Sequence, residues 1–242
     1  MRIIPVLDLK AGAAVHAVAG EREKYQPVRS CLSPSSDPVE LARAFQQLLC
    51  SDEVYLADLD AIAGLPPSEE VYAGITSLGV KLMLDAGIHN QHSLDGLLTN
   101  DVDAFIIGLE TVDGPDTLAA IVKKLGKENA IFSLDMKGGH PLGDTSRWRK
   151  PDPLEIAQQA ISAGVRRMIL LDLARVGTGS GTGTEDLCRK LRSDCPDQDL
   201  IVGGGIRTME DLLAAQDAGA SGVLVATAIH DGRIGRPEIE LL

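Results

Sequence analysis

Short apolar runs alternate with longer amphipathic stretches from one end of the chain to the other. An apolar run bounded by Gly or Asp is typical of a buried strand, and apolar residues at helical spacing indicate a helix. Eight strands are predicted, over residues 3–7, 53–57, 81–84, 104–107, 130–134, 167–171, 199–202 and 222–225. Strands that alternate with helices in this way predict βαβ units around a parallel sheet.

Polar residues that can cap a helix stand before several of the amphipathic stretches. Asp37 and Asp152 each precede a proline, and Asp116 and Thr208 precede the fourth and the seventh stretch. An Asp or Thr side chain accepts hydrogen bonds from the first backbone amides of a helix, and proline is well tolerated at the first helical position. These four residues are therefore predicted helix starts.

Two segments of the chain repeat each other. Residues 4–12 read IPVLDLKAG and residues 131–139 read IFSLDMKGG. Further strand ends match at similar separations, which predicts two copies of a four-strand unit, residues 1–126 and 127–242. Eight βα units in 242 residues fit an α/β fold of either kind, a (β/α)8 TIM barrel or a doubly wound open sheet. The repeat favours the barrel, and because a half-barrel cannot close alone, residues 1–242 are predicted to form a single domain.

Two stretches depart from the regular alternation. Residues 11–36 form a long first loop, whose charged centre is typical either of a mobile lid or of a solvated surface hairpin. Residues 232–242 are too few for a full eighth helix, so the last helix is predicted to be truncated. The part of the barrel left open is a surface that a partner subunit would cover, which makes a homo-oligomer an expectation.

The composition argues against several classes of protein. The formal net charge of −12 opposes binding to nucleic acid, whose phosphates require a basic face. Every apolar run is interrupted well before the roughly 18 residues that cross a membrane, and the first residues enter a strand without a leader, so a cytoplasmic protein is expected. The four cysteines match no metal-binding spacing and are expected to be reduced thiols. No metal and no cofactor are predicted.

Acidic residues end or follow six of the eight predicted strands. They are Asp8, Asp58, Asp85, Glu110, Asp135 and Asp172. The functional groups of a (β/α)8 barrel lie at the C-terminal ends of its strands, so these carboxylates are predicted to meet a substrate at one mouth, together with Lys10 and Lys137. A single such acid is more often a turn or cap residue. Crowded carboxylates raise one another's pKa, which provides a proton donor beside a proton acceptor.

Three consecutive glycines at residues 203–205 follow the seventh strand, the small residues ATA at positions 226–228 follow the eighth, and GTG at residues 177–179 follows the sixth. Backbone amides of glycine can approach an anion closely, and a short helix after the eighth strand would direct its N-terminus at the same place. A phosphate site after these two strands recurs among barrels, although a run of glycines is also compatible with a tight turn. The predicted phosphate-binding residues are Gly177, Thr178, Gly204, Gly205, Ala226 and Thr227.

The combination of these motifs resembles the histidine-biosynthesis barrels. PVLDL at residues 5–9, LD at residues 134–135, GGGIR at residues 203–207 and Trp148 in the fifth loop are similar to the ribotide isomerase, which performs an Amadori rearrangement, and to the cyclase subunit of imidazole glycerol phosphate synthase. The resemblance covers the chain up to about residue 232. It implies that Asp8 is the general base, that Asp135 is the general acid, and that Trp148 stacks on the substrate.

The chain departs from that family on one side of the expected site. Family members hold a substrate with two phosphates, one of them at a glycine cluster after the third strand and at Gly-Ser or Gly-Thr after the fourth. Here Asp85 and Glu110 stand in those places, and two carboxylates repel a phosphate. After the sixth strand, Leu171 and Val176 stand where the family has threonine and aspartate. One phosphate site is therefore expected to be lost.

The leading hypothesis is an isomerase-like enzyme that acts by acid-base chemistry on a mono-phosphorylated metabolite, either sugar-like or amine-bearing. The resemblance is greatest to a divergent branch of methanogenic archaea and one-carbon-using bacteria, which implies a role in one-carbon cofactor biosynthesis. Three alternatives stay open. They are the ribotide isomerase of histidine biosynthesis, a metal-dependent lyase or aldolase with Asp58, Asp85 and Glu110 as ligands, and a non-catalytic ligand-binding barrel.

Overall fold

Eight parallel strands close into a barrel. The computed structural model describes residues 1–18, 20–98 and 101–242, and in it each barrel strand pairs with the next one along the chain. The last strand also pairs with the first, from Arg2 opposite Gly222 to Pro5 opposite Val225, and this pairing closes the sheet. The strands are β1 (Arg2–Lys10), β2 (Glu53–Asp58), β3 (Lys81–Asp85), β4 (Ala104–Gly108), β5 (Ala130–Lys137), β6 (Arg167–Asp172), β7 (Asp199–Gly203) and β8 (Gly222–Val225). The predicted (β/α)8 barrel is confirmed, and the open-sheet alternative is wrong.

Helices connect the strands on the outside of the barrel. They are α1 (Pro38–Leu49), α2 (Leu59–Ile62), α3 (Glu69–Thr76), α4 (Pro115–Leu125), α5 (Pro153–Ser162), α6 (Glu185–Asp194), α7 (Met209–Asp217), α8 (Thr227–His230) and α9 (Arg236–Ile239), with 3-10 helices at Arg22–Lys24 and Gln91–Leu94. Asp37, Asp152 and Thr208 cap α1, α5 and α7 as predicted, because each side chain accepts a hydrogen bond from a first-turn amide. The start predicted at Asp116 is wrong by two residues: α4 begins at Pro115 with Gly114 as its N-cap, and Asp116 lies in its first turn.

The alternation of side chains along each strand divides the core into two layers. Residues at alternate positions, such as Ile4, Met83 and Ile169, fill the inside of the barrel. The positions between them, such as Leu56 and Leu84, pack outward against the helices. Because the side-chain period of a strand is two, the same alternation fixes which strand-end residues face the mouth of the barrel.

The loops after β1 and β5 begin in the same way. Each strand continues into an antiparallel hairpin, with Ala13–His16 after β1 and His140–Pro141 after β5. The residues at positions 11–12 and 138–139, which make the two turns, all have positive φ. Gln26–Pro27 pairs with the first hairpin as a further strand. The first loop thus contains a hairpin, whereas its role as a mobile lid and the division of the chain at residues 126 and 127 stay predictions.

Four charged side chains form a ring at the N-terminal ends of the strands, away from the mouth. Arg2 of β1 lies 3.1 Å from Glu53 of β2 and 2.6 Å from Asp199 of β7. Arg167 of β6 lies 3.2 Å from the same aspartate and 3.9 Å from Glu53. The ring therefore links strands from both halves of the chain across the bottom of the barrel.

The C-terminal segment ends in a single helical turn, α9, which contacts α1. The predicted truncation of the last helix is therefore confirmed. No helix within the described ranges combines the length and the apolar character that crossing a membrane requires.

Candidate functional site

A cavity of about 830 Å³ opens at the C-terminal ends of the barrel strands. Most of the residues that the sequence associates with a substrate contribute to its lining. These residues are Asp8, Asp85, Glu110, Asp135, Lys137, Gly177, Thr178, Gly204, Gly205, Ala226 and Thr227. Lys10, Asp58, Trp148 and Asp172 lie outside the lining. The fold thus brings the predicted acids and the predicted phosphate-binding residues to one mouth.

Three strand-end aspartates face the inside of the barrel. Asp8, Asp85 and Asp135 follow the inward alternation of β1, β3 and β5 and line the cavity. Glu110 joins them from the loop after β4. Four carboxylates therefore line the same cavity.

Asp135 is held in its protonated form by its surroundings. Only 7% of its surface is exposed, and burial raises the pKa of its carboxyl to about 8. Ser133 donates a hydrogen bond to Oδ1 at 2.7 Å, and this bond and the nearby backbone amide of Leu109 lower the pKa. The negative charges of Asp85 and Glu110 raise it. A buried acid that keeps its proton near neutral pH has the property required of a general acid.

Tyr55 is a site residue that the sequence analysis did not identify. Its side chain is 7% exposed, it lines the cavity, and its hydroxyl lies 3.4 Å from Asp85 Oδ2. Burial raises the pKa of the phenol well above its ordinary value, and the charges of Asp85, Asp135 and Asp8 act in the same direction. The alternation along β2 could have identified it, because a tyrosine three residues before the outward Asp58 must point inward.

Asp58 does not reach the cavity, which corrects its prediction as a substrate contact. It follows Ala57, an inward residue, so its own side chain faces outward. Its carboxylate accepts hydrogen bonds from two amides at the start of α2, from the Ser68 amide and from the Tyr72 hydroxyl, the last at 2.5 Å. Asp58 therefore has a structural role as a helix cap.

Asp172 occupies the matching outward position on β6, and its prediction as a substrate contact is corrected in the same way. It is 3% exposed, and its carboxylate accepts hydrogen bonds from the amides of Gly138, Gly139 and Ala174 at 2.9, 2.8 and 3.0 Å. These bonds fasten the hairpin after β5 to the end of β6. Its carboxylate thus positions a loop.

Trp148 is the third correction, whereas the substrate contact of Lys10 stays a prediction. The Trp148 ring is 4% exposed and packs against Phe132 in the outer core layer, with ring centroids 5.7 Å apart. It anchors the fifth loop and is not placed to stack on a molecule in the cavity. Lys10 lies opposite Ala13 in the hairpin after β1, whereas Lys137, its counterpart after β5, lines the cavity.

The loops after β6 and β7 present backbone to the cavity. Gly205 has a φ of +71°, and a Cβ there would lie 2.3 Å from the carbonyl oxygen of Gly181. Gly177 has a φ of +72°, and a Cβ there would lie 2.5 Å from the carbonyl oxygen of Ala17 in the first hairpin. Only glycine fits at either position without a shift of backbone. Such close packing leaves main-chain atoms at the cavity wall, which suits an anion.

Two arginines lie on this side of the cavity. Arg207 ends the GGGIR segment, Arg233 follows α8, and both line the cavity. Neither arginine was predicted from the sequence as a site residue, although Arg207 belongs to the GGGIR motif. A guanidinium group presents several donors in a fork that matches a phosphate. Arg233 lies 3.2 Å from Asp231, which also lines the cavity, so the positive charge on this side comes from Arg207.

The matching positions on the acidic side are occupied by the protein itself. Gly87 has a φ of +69°, close to that of Gly205, but its amide donates a hydrogen bond to Asp85 Oδ1 at 3.2 Å. The backbone of Ile62 packs over Gly87, since a Cβ on that glycine would lie 2.7 Å from the Ile62 Cα. After β3, the cavity wall thus contains the carboxylate of Asp85, whereas at the matching place after β7 it contains the backbone of Gly204 and Gly205.

The ligand set considered for a metal-dependent enzyme is not assembled. Asp58 faces away from Asp85 and Glu110, as described above. Across residues 1–18, 20–98 and 101–242, no three His, Cys, Asp or Glu side chains are grouped so that they could hold a metal ion. The four cysteines are free thiols, as expected.

Comparison with known proteins gives matches along almost the whole chain. The sequence model of a family described as "Histidine biosynthesis protein" matches residues 2–235. An uncharacterized protein of Methanocaldococcus jannaschii is 32% identical over 99% of this chain and 97% of its own length. A 1-(5-phosphoribosyl)-5-((5-phosphoribosylamino)methylideneamino) imidazole-4-carboxamide isomerase of Thermus thermophilus is 33% identical over 97% of this chain and 96% of its own. A protein of the same name from Deinococcus radiodurans is 28% identical over 98% and 96%.

Proposed function

The chain belongs to the histidine biosynthesis protein family, and from this premise we propose that it is an isomerase-like enzyme acting by acid-base chemistry on a mono-phosphorylated metabolite. Relatives named as isomerases match almost its full length, which supports the reaction class. One observation supports the restriction of the substrate to a single phosphate group. It is the contrast between the glycine backbone at Gly204 and Gly205 on one side of the cavity and the carboxylates of Asp85 and Glu110 on the other.

The phosphate end of the substrate is assigned to the loops after β6, β7 and β8. The residues proposed to bind it are Gly177, Thr178, Gly204, Gly205, Ala226 and Thr227. The first amides of a helix have no partner within the helix, so those at the start of α8 are suited to donate to an anion. Arg207 would balance its charge. A second phosphate would meet Asp85 and Glu110, and like unit charges about 4 Å apart near a protein surface repel by roughly 4 kcal/mol.

Asp8 and Asp135 are proposed to move the protons. β1 and β5 lie on opposite sides of the eight-stranded barrel, so a substrate in the cavity would lie between the two acids. The raised pKa of Asp135, about 8, supports its role as the donor. Asp8 is then the acceptor. An isomerisation that moves a proton from one atom of the substrate to another needs one group of each kind.

The other end of the substrate is proposed to be an amine or another polar group that Asp85 and Glu110 accept in place of a phosphate. A place in the divergent branch and a role in one-carbon cofactor biosynthesis are part of the proposal, and they rest on the sequence resemblance alone. A cytoplasmic location, a homo-oligomer and the lack of a nucleic-acid partner stay predictions.

The binding of inorganic phosphate tests the single site. Calorimetry should give one anion per chain, and a structure determined with phosphate should place it beside Gly204, Gly205 and Thr227. A second anion beside Asp85 would contradict the proposal. Once a substrate is identified, Asp8→Asn and Asp135→Asn should each abolish turnover while leaving phosphate binding in place, and unchanged turnover would refute the catalytic assignment.

The second candidate is the isomerase whose name the bacterial relatives carry. Their identity to this chain, 28% to 33%, favours it. That name contains two phosphoribosyl groups, so the candidate requires that the acidic side tolerate a second phosphate. Growth of a histidine auxotroph that lacks this enzyme, rescued by the present chain but not by its Asp8→Asn variant, would establish the second candidate against the first.

A further inference from the structure

The hydroxyl of Tyr55 has no counterpart in the other half of the barrel. Tyr55 lies three residues before Asp58 on β2, and the corresponding residue before Asp172 on β6 is Ile169, which is fully buried in the inner core layer. An apolar side chain therefore satisfies the packing at this level of the barrel. Packing therefore does not require the Tyr55 hydroxyl, and its role depends on the groups that its oxygen contacts.

We propose that Tyr55 is a positioning residue, which fixes the Asp85 carboxylate in the cavity wall and thereby makes the enzyme select substrates that present an N–H donor to that wall. The proposal rests on the proposed function, because a bound phosphate on the far side of the cavity is what brings the other end of a substrate to Asp85.

The contacts of Asp85 support this role. Its Oδ2 lies 3.4 Å from the Tyr55 hydroxyl, and its Oδ1 accepts the Gly87 amide at 3.2 Å. One donor comes from β2 and the other from the loop after β3, and together they hold both oxygens, so the rotation of the carboxylate is restricted. Hydrogen bonds donated to a carboxylate favour its charged form. Asp85 is thus presented to the cavity as an oriented anion.

An oriented anion at this place accepts hydrogen bonds and does not donate them. Asp8 and Glu110 line the same cavity, so an incoming anionic group is repelled by more than one carboxylate. A hydroxyl can donate one hydrogen bond, whereas an amine can donate more and, when protonated, is also attracted by the charge. The selection of an amine over a hydroxyl is therefore the property that Tyr55 should control through Asp85.

The contact between the two residues can be tested without any ligand. In protein labelled with carbon-13 at the aspartate carboxyl groups, the Asp85 signal is identified by its absence from Asp85→Asn and is then titrated in the wild-type protein and in Tyr55→Phe. Loss of the hydrogen bond should raise the pH at which Asp85 ionises. An unchanged titration would overturn the proposal, whatever the enzyme's substrate.

The selection itself is tested with matched phosphate esters. Aminoalkyl phosphates of increasing chain length are compared with hydroxyalkyl phosphates of the same length, and inorganic phosphate serves as the common reference. The wild-type protein should bind the amine more tightly than the matched alcohol at one chain length. Tyr55→Phe should reduce that preference by roughly threefold to tenfold, the range expected when a typical hydrogen bond is lost.

A double-mutant cycle separates positioning from a general structural effect. If Tyr55 acts through Asp85, the variant Tyr55→Phe with Asp85→Asn should show the same preference as Asp85→Asn alone. Additive losses, or a preference that Tyr55→Phe leaves unchanged, would overturn the proposal. The affinity for inorganic phosphate should be the same in all four proteins. If the wild-type protein bound no phosphate, the proposed function would fail instead, and the ligand-free titration would still decide whether Tyr55 holds Asp85.

Discussion

Ser133 Oγ donates a hydrogen bond of 2.7 Å to Asp135 Oδ1, two residues farther along the same strand, β5. Both side chains face inward, and both are buried. The hydroxyl favours the charged form of the carboxylate, whereas burial disfavours it. The proton affinity of the proposed general acid is thus set by two opposing effects, one of which a single substitution can remove.

Ser133→Ala should raise the pKa of Asp135 further above about 8, since the opposing hydrogen bond is lost. Carbon-13 NMR of the aspartate carboxyl groups measures the shift. Ser162→Ala on the exposed surface of α5, where the hydroxyl contacts only the Gln158 carbonyl oxygen among the residues described, is the matched control and should leave the Asp135 titration unchanged. A downward shift in Ser133→Ala would contradict the assignment of the hydroxyl as a donor.

Asp135→Asn should stabilise the protein at alkaline pH. The pKa of Asp135 is raised from an ordinary value of 3.8 to about 8, so between these values the folded state holds a proton that the unfolded state has lost. The free energy of unfolding of the wild-type protein therefore falls as pH rises through this window, by at most about 1.4 kcal/mol per pH unit, and levels off above it.

Urea unfolding at a series of pH values measures this effect. The amide of Asn does not ionise, so the stability advantage of Asp135→Asn should grow from pH of about 4 to about 8 and then stay constant. Asp113→Asn, at an exposed position, is the control and should follow the wild-type curve. A constant difference between Asp135→Asn and wild type across the window would show that Asp135 does not hold a proton in the folded state.

The ring of charges at the bottom of the barrel should contribute measurably to stability. Asp199 accepts hydrogen bonds from both Arg2 and Arg167, so Asp199→Asn should cost about 1–3 kcal/mol in the free energy of unfolding. Asp186→Asn breaks an isolated surface pair with Arg189 and should cost no more than about 0.5 kcal/mol. Denaturant curves for the two variants decide the matter, and equal losses would mean that the ring acts only as separate surface pairs.

Gly205→Ala should weaken both the fold and the binding of inorganic phosphate. The added methyl group would lie 2.3 Å from the Gly181 carbonyl oxygen, so the loops after β6 and β7 must move apart. We expect at least about a tenfold loss of phosphate affinity, or about 1.4 kcal/mol. Gly12→Ala has a similar positive φ, +78°, but open space around the new Cβ, and should lose only about 1 kcal/mol of stability and no affinity. Unchanged affinity in Gly205→Ala would place the anion elsewhere.

Trp148, the only tryptophan, provides an optical test of its buried position. Because the ring is 4% exposed and packs on Phe132, its fluorescence should resemble that of an indole in an apolar environment and should resist quenching by acrylamide. The addition of inorganic phosphate should leave the spectrum unchanged. Strong quenching, or a spectral change upon binding, would show that the fifth loop can release Trp148 toward the cavity.

The barrel was predictable from the sequence because its signals are local and repeated. These signals do not depend on tertiary contacts. They are the eight apolar runs, the helix caps at Asp37, Asp152 and Thr208, and the repeated strand sequence. The inward acids Asp8, Asp85 and Asp135 could also be identified from their positions at strand ends. All of these features follow from the period of a strand and from the direction of a parallel sheet.

The wrong predictions of substrate contacts concern the direction in which single side chains point. Asp58 and Asp172 end strands as the true cavity residues do, but they are out of phase with the inward alternation, so their carboxylates cap local backbone. Applying the period of two to β2 would have excluded Asp58 and identified Tyr55 in one step. The position of Trp148 had no such signal, because the path of the fifth loop depends on what it packs against.

The contact of Gly177 with the carbonyl oxygen of Ala17 has a consequence for engineering. A loop proposed to hold the phosphate leans on the hairpin that follows β1, so neither surface has a shape independent of the other. Grafting the sixth loop from a relative in order to change specificity would leave it against a foreign hairpin. The two segments are therefore a single transplantable unit, and a library that varies them together should retain more folded members than one that varies either alone.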